Sequence, residues 1–186
     1  MPIHSGTGIH YHRPMTSPVI RLARPEDAAA LARLAVETFR RTFVVDYPMN
    51  YPEEDLAAFL RESYAVERVA AWIVDPAGQV LVAEADGVLV AYAQVGDNGL
   101  PCADAKPGDG ELKRLYVSKA AQGTGLGREL LERSLAWLGE RTTYIGVWSG
   151  NDRARRLYGR YGFEKVGGYQ FRVGATLDEE VILRRR

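Results

Sequence analysis

Apolar residues recur at three- and four-residue spacing through Leu31, Leu34, Ala35, Phe39 and Phe43, which predicts a helix with one buried face ending near Phe43. Its opening is marked by Arg24-Pro25-Glu26-Asp27. Proline suits a first helical turn, and acids there complement the helix dipole. Pro18 to Ala23, just before it, reads as a short strand. A second helix follows Pro52 through Leu56, Phe59 and Leu60, and a third is placed at Val66–Ile73. From residue 79 the period changes to two. Gln79–Ala85 and Val88–Val95 flank Asp86-Gly87, a turn that closes a β-hairpin. Glu111–Ser118 is the next strand, and a helix from Leu126 to Glu140 presents Leu126, Leu130, Leu131, Leu135 and Leu138 on one side. Thr143–Trp148 reads as a strand and Asp152–Tyr161 as a helix. Phe163–Val173 and Glu179–Leu183 read as a closing hairpin.

This order predicts a mixed α/β (α+β) domain. Helices interrupt the strands often enough for part of the sheet to be parallel, while its middle and end are hairpins. At 186 residues the chain fits one domain. A chain of this size buries roughly 70% of its unfolded surface and needs no disulfide or metal staple. We place the domain at 18–186 and read 1–17 as a flexible extension, since it holds no Lys, Asp or Glu and no apolar period. It lacks the charged and apolar regions of a secretory signal, and Met15 would serve as a start that leaves the domain whole.

Charge and composition narrow the chemistry. The 24 basic and 24 acidic residues cancel, which gives no overall reason to bind nucleic acid or an anionic membrane. No apolar run approaches the roughly 18 residues of a membrane span. Cys102, the single cysteine, has no internal disulfide partner and points to a reducing, cytoplasmic setting. All three histidines (His4, His10 and His12) fall in the first twelve residues. The domain body therefore has no histidine for a Ser-His-Asp or Cys-His arrangement or a zinc site, and no metal is expected.

The most informative stretch runs from Glu111 to the helix at Leu126. A strand leads through Gln122, Gly123, Thr124, Gly125, Leu126 and Gly127 into a helix start, where unpaired N–H groups and the helix dipole form an anion site. A Walker A loop would need Lys-Ser/Thr after its last glycine, whereas Arg128-Glu129 follows. A dinucleotide fingerprint would need a third glycine where Arg128 stands, although Asp152 lies near the place of a ribose-binding acid. A plain glycine turn is a further alternative. The remaining pattern is Q-x-x-G-x-G, carried by Gln122, Gly125 and Gly127.

That hexapeptide, together with Asn151, Ala154, Tyr158, Gly162 and Phe163 in an N-x-x-A-x-x-x-Y-x-x-x-G-F pattern, resembles the GNAT N-acetyltransferase superfamily over most of residues 18–185. Within it, Glu37-Thr38-Phe39 with Thr42-Phe43, Gly146-Val147-Trp148, and Gly168 with Phe171 and Gly174 are similar to the bacterial PaiA-type spermidine/spermine N-acetyltransferases. Ser149-Gly150 and Lys113 depart from that branch, where a bulkier pair and an acidic residue are common.

The resemblance implies a single GNAT-like domain. It has a mostly antiparallel central sheet, a parallel splayed strand pair and helices on both faces. It implies acetyl-CoA as co-substrate, its pyrophosphate held by Gln122, Gly123, Thr124, Gly125, Leu126, Gly127 and Arg128. Its pantetheine would lie on Leu115, Tyr116 and Val117 beside a splay or bulge after Leu115, and Asn151 would contact it, cap the following helix, or do both. Tyr158 would protonate the departing thiolate, and Glu111 would accept the amine proton. An alkylamine with pKa near 10.4 arrives protonated, so some group must take that proton. On the acceptor side Glu37, Tyr47, Glu53 and Glu54, with Asp46 and Asp55 nearby, form an acidic and aromatic surface suited to a polycation. The expectation is acetyl transfer to a primary amine of a small molecule, with a polyamine favoured and a homodimer allowed for. The alternatives are a protein N-terminal or lysine acetyltransferase, and a catalytically silent acyl-CoA sensor.

Overall fold

A computed structural model describes residues 17–186; the N-terminal extension, its three histidines and Met15 lie outside the described residues. One seven-stranded sheet organises the chain in the order β1-β2-β3-β4-β5-β7-β6. The strands are β1 (Val19–Leu22), β2 (Gln79–Ala85), β3 (Val88–Asp97), β4 (Gly110–Val117), β5 (Thr143–Trp148), β6 (Glu164–Val173) and β7 (Thr176–Arg185). The helices are α1 (Ala28–Arg40), α2 (Glu53–Ser63), α3 (Val66–Val74), α4 (Leu126–Leu138) and α5 (Asp152–Gly159). All neighbouring strands are antiparallel except β4 and β5. The β2–β3 turn places Asp86 and Gly87 both at positive φ, as a two-residue hairpin turn of matching twist requires.

The period-two pattern sorts side chains to two cores. On one face Leu81, Ala83, Ala91 and Ala93 meet Leu130, Leu131 and Leu135 of α4 together with Tyr158 and Phe163. On the other, Val80, Val82 and Tyr92 meet Leu31, Leu34 and Ala35 of α1, Leu56 and Leu60 of α2, and Val69 of α3. β2 and β3 are therefore apolar nearly throughout, as strands covered on both faces must be.

Two boundaries differ from the sequence pattern. The first helix ends its α geometry at Arg40 and continues as a π-helical turn over Arg41–Asp46, with the Tyr47 N–H donating to Thr42 O at 2.8 Å. Hydroxyl groups loosen this end: Thr38 and Thr42 each donate to the carbonyl four residues back. β7 runs well beyond Glu179–Leu183 because β5 and β6 pair with it on both sides, which holds even its charged residues extended.

β4 and β5 pair only at Gly110↔Thr143 and Glu111↔Tyr144. Beyond Glu111 they separate. The register shift against β3 leaves Lys113 as the extra residue of β4, between the pairs Val95↔Leu112 and Gln94↔Arg114. The splay thus opens earlier than the expected place after Leu115. The bulge locates it, since one unpaired residue bends a strand and increases its twist.

The start of α1 is tied down by charge. Asp27 is buried and receives two bonds from the Arg21 guanidinium, at 2.6 and 2.9 Å, and the Arg24 N–H at 2.7 Å. Arg21 also reaches Glu84 on β2 at 2.7 Å, which joins helix, edge strand and sheet. The Arg21 hydrogen bonds hold the Asp27 carboxyl below its ordinary value of 3.8, against the opposing effect of burial. A depressed folded pKa contributes stability above the unfolded pKa, and that stability is lost as pH falls through the folded one. Asp27→Ala should cost roughly 1–3 kcal/mol at pH 7. Thermal unfolding should show the gap between wild type and variant narrowing only below about pH 4.

Candidate active site

Past Glu111, the edge of β4 that faces β5 has no strand partner, and a cleft of about 650 Å³ lies along it. Leu115, Tyr116 and Val117 line its β4 side, and Asn151, Ala154 and Tyr158 line its α5 side. Thr42, Asp46 and Tyr47, from the π-helical turn and the loop after it, line it too. A smaller cavity of about 120 Å³ adjoins it, shares Leu115, Tyr116 and Tyr158, and continues to Gly146, Trp148 and Glu180.

At the other end of the cleft, β4 passes through a 3-10 turn at Lys119–Ala121 into the glycine loop. Gly123 and Gly125 have φ of 81° and 87°, a conformation that L side chains rarely adopt. Thr124 Oγ1 donates to Ala121 O at 2.8 Å, and Gln122 Nε2 to Val117 O at 3.2 Å, so both side chains brace the loop. The first α4 bonds run from the Arg128 and Glu129 N–H groups to Gly125 O. The N–H groups of residues 123–127 have no protein partner among the described residues. Lys119, Arg128, Arg153, Arg156 and Arg160 line the same cleft. Free N–H groups at a helix start with a rim of cations make a pocket for phosphate.

α5 begins at Asn151, whose Oδ1 accepts the Ala154 N–H at 3.0 Å and the Tyr47 hydroxyl at 3.1 Å. The side chain expected near the pantetheine is therefore a helix cap that also fixes the aromatic loop, and Tyr47 packs on Trp148 at 4.9 Å. Two turns on, Tyr158 is 6% exposed and stacks edge-on against Phe163 at 5.9 Å. Its hydroxyl carries no hydrogen bond to the described residues, and burial pushes its pKa up, so it stays protonated at neutral pH. Tyr158 stands where the two cavities meet.

Several expected residues lie elsewhere. Glu111 is 8% exposed but lines neither cavity; its Oε2 accepts the Gly99 N–H at 2.8 Å and the Lys113 ammonium at 3.0 Å. Glu37 faces solvent on α1. Glu53 pairs with Arg40 at 2.7 Å, and Glu54 is exposed beside it. The inward side of α2 is taken by Leu56 and Leu60, which turns its acidic first turn away from the cleft. Of the acceptor residues expected, Tyr47 and its neighbour Asp46 reach the cleft.

The carboxylate that lines the smaller cavity is Glu180, which is bonded by Tyr169. Their side chains meet over Gly146, at 3.3 Å from Glu180 Oε2 to the Tyr169 hydroxyl. A Cβ at residue 146 would fall 2.7 Å from that hydroxyl and 3.3 Å from Oε2, so glycine makes the room. Burial pushes the Glu180 carboxyl up to about 7, partly offset by the bond from Tyr169 and reinforced by Asp178. Asp178, two residues earlier on the same face, is also raised by burial, while the Tyr51 hydroxyl bonds it and lowers it. The sequence signal was the alternation Asp178, Glu180, Ile182 on a strand that proves to be internal. The arginines of α5 had a signal too, since Arg153, Arg156 and Arg160 recur at three- and four-residue spacing.

Among the described residues no group of three or more His, Cys, Asp or Glu is placed to hold a metal ion, and no helix is long and apolar enough to cross a membrane.

Comparison with known proteins agrees with this arrangement. Residues 30–163 match the acetyltransferase (GNAT) family. An uncharacterized N-acetyltransferase of Mycobacterium tuberculosis is 32% identical over 165 residues, covering 86% of this chain and 97% of that protein. A spermine/spermidine N(1)-acetyltransferase of Bacillus subtilis is 32% identical over 100 residues, 52% of this chain and 66% of that protein. The crystal structure of the PaiA N-acetyltransferase from Thermoplasma acidophilum in complex with coenzyme A superposes with a TM-score of 0.71 at 21% identity, covering 92% of this chain and 99% of that one. With a mostly antiparallel sheet parted at one parallel pair and a family match over most of its length, the chain belongs to the acetyltransferase (GNAT) family and is an N-acetyltransferase.

Proposed function

We propose that the protein transfers an acetyl group from acetyl-CoA to a primary amine of a small molecule, with a polyamine as the favoured acceptor. The observation that carries the reading is the position of Tyr158, shared between a cation-rimmed cleft ending in unpaired N–H groups and a small cavity containing a carboxylate. The residues present fit the donor. The N–H groups of 123–127 with Lys119, Arg128, Arg153, Arg156 and Arg160 suit its phosphates, and the unpaired edge of β4 at Leu115–Val117 suits the amides of its pantetheine. Acetyl-CoA supplies the acyl group as a reactive thioester. Tyr158 lines both cavities and keeps its hydroxyl protonated, as a group that gives a proton to a leaving sulfur must.

A small acceptor is supported by the size of the second cavity, about 120 Å³, which suits an amine-bearing chain end. A polyamine is supported by Glu180 and Asp178 on one face of β7, by the aromatic faces of Tyr47 and Trp148, and by the similarity to the spermine/spermidine enzyme.

Gly125→Val should abolish stabilisation by acetyl-CoA, because a β-branched residue resists positive φ and fills the approach to the loop N–H groups. Thermal shift with and without acetyl-CoA checks this, and equal shifts in both proteins would refute the phosphate assignment. Tyr158→Phe keeps the ring against Phe163 and removes one proton donor, so kcat should fall about tenfold or more with acetyl-CoA affinity little changed. Thiol release at saturating substrate measures it. In the same assay spermidine and spermine should be turned over with a higher kcat/KM than simple monoamines. Efficient acetylation of a peptide amine with no polyamine turnover would move the acceptor to proteins.

A further inference from the structure

We infer that Glu180 of β7 takes the proton from the acceptor ammonium, with Tyr169 of β6 holding its carboxylate in position. The inference rests on the acetyltransferase reading above and assigns a catalytic residue to it. Among the described residues Glu180 is the one carboxylate that lines the smaller cavity, and Tyr158 lines that cavity as well. Acid and base therefore share the space in which an amine would reach the donor. Glu180 Oε2 and the Tyr169 hydroxyl occupy the space over Gly146 that any side chain there would fill, so the placement is built into three strands, β5, β6 and β7.

Glu111, the other buried glutamate of this sheet face, is differently committed. One of its oxygens already holds an ammonium and an amide N–H, and it does not line the cavity. Lys113 also donates to Asp97 O, and Arg114 donates to Gln94 Oε1 and lies over the Trp72 ring at 4.2 Å. Both cations line the cavity, yet neither pairs with Glu180, whose charge stays available to an incoming ammonium. The titratable groups around Glu180 and its partner Tyr169 of β6 are Asp178 from β7 itself, Glu111, Lys113, Arg114 and Tyr116 from β4, Tyr158 from α5, and Tyr51 from the α1–α2 loop. β5 contributes Gly146 and Trp148, which carry no charge. A carboxyl raised to about 7 is divided between its two forms at neutral pH, the state in which a base works best.

The step balances. The ammonium gives one N–H proton to the Glu180 carboxylate. The freed lone pair forms the C–N bond to the thioester carbonyl carbon, the C–S bond breaks, and Tyr158 supplies the proton that the sulfur takes. The nitrogen loses its second surplus proton as the amide forms, which restores the Tyr158 hydroxyl, and Glu180 releases its proton to solvent.

The test is the pH profile of kcat/KM for spermidine in wild type, Glu180→Gln, Glu111→Gln and Tyr169→Phe, with the acetyl-CoA thermal shift measured on each to show that fold and donor binding persist. Wild type should show an acidic limb near pH 7. Glu180→Gln should lose that limb and on the order of 10²-fold in rate at neutral pH, with partial recovery as the solution approaches the amine pKa. Glu111→Gln should keep the limb whatever its rate. Tyr169→Phe removes a bond that favours the carboxylate, so its limb should move to higher pH; this arm decides the matter if Glu180→Gln does not fold. Wild-type turnover with the limb intact in Glu180→Gln, or unmoved in Tyr169→Phe, overturns the role of Glu180 alone. Absence of wild-type turnover with spermidine, monoamines and peptide amines alike overturns the functional reading and this inference with it.

Discussion

The structure depends on one interruption of hydrogen bonding, the parting of β4 from β5 after two paired positions. A sheet is stable because each strand meets its neighbour's backbone groups. Here an internal strand, paired to β3 on one side except at the Lys113 bulge, is left without a strand on the other from Leu112 onward. The cost is borne by the rest of the sheet, where β5, β6 and β7 pair along their length and two cores clamp the faces. What the interruption yields is a cleft whose wall is main chain, able to meet a ligand's amide groups as a strand would.

Two chemically distinct ends follow from that opening. Toward the C-terminal end of β4 the chain turns through glycine into α4, and free N–H groups and cations collect there. Beyond Tyr158, where β5 has moved away, β7 brings Glu180 to the smaller cavity beside Lys113 and Arg114, with Asp178 buried against Tyr51 on the same face of the strand. The net charge of zero conceals this division, because a neutral total says nothing about where each sign sits. Tyr158 lies between the ends, and the same burial that keeps its hydroxyl protonated raises the Glu180 carboxyl toward neutrality. Desolvation acts on both in one direction, against the charged form: the tyrosine holds its proton more tightly, and the carboxylate becomes a stronger base.

The loop over the cleft shows how local irregularity serves this arrangement. Threonine back-bonding at Thr38 and Thr42 precedes a π-helical turn, which brings Thr42, Asp46 and Tyr47 to the opening. Tyr47 then bonds the cap of α5 and packs on Trp148. The motif helix, the end of β5 and the loop are thus fixed to one another by a single tyrosine.

Local pattern determined every element whose residues carry their own signal. The hairpin at Asp86-Gly87, the leucine face of α4, the glycine loop and the capped helix at Asn151 were all legible, because turn chemistry, periodicity and capping act within a few residues. The two paired motifs placed the donor cleft for the same reason. The acceptor side was not legible. Glu53 and Glu54 looked like a binding cluster because acids beside tyrosines suit an amine, yet their helix must bury Leu56 and Leu60 and so turns them to solvent. The resemblance pointed to Glu111 as the base, but it does not reveal that Lys113 folds back onto that carboxylate at a bulge. Glu180 looked like one charge in a closing hairpin. Its burial, its raised pKa and its place over Gly146 depend on β7 lying between β5 and β6, pairings that connect residues far apart in sequence. The sequence by itself determined the helices, most strand positions, and the loop that suits phosphate. Which carboxylate lines the smaller cavity was decided only when the sheet closed, since burial and neighbouring charge are properties of the assembled fold and not of any short run of residues.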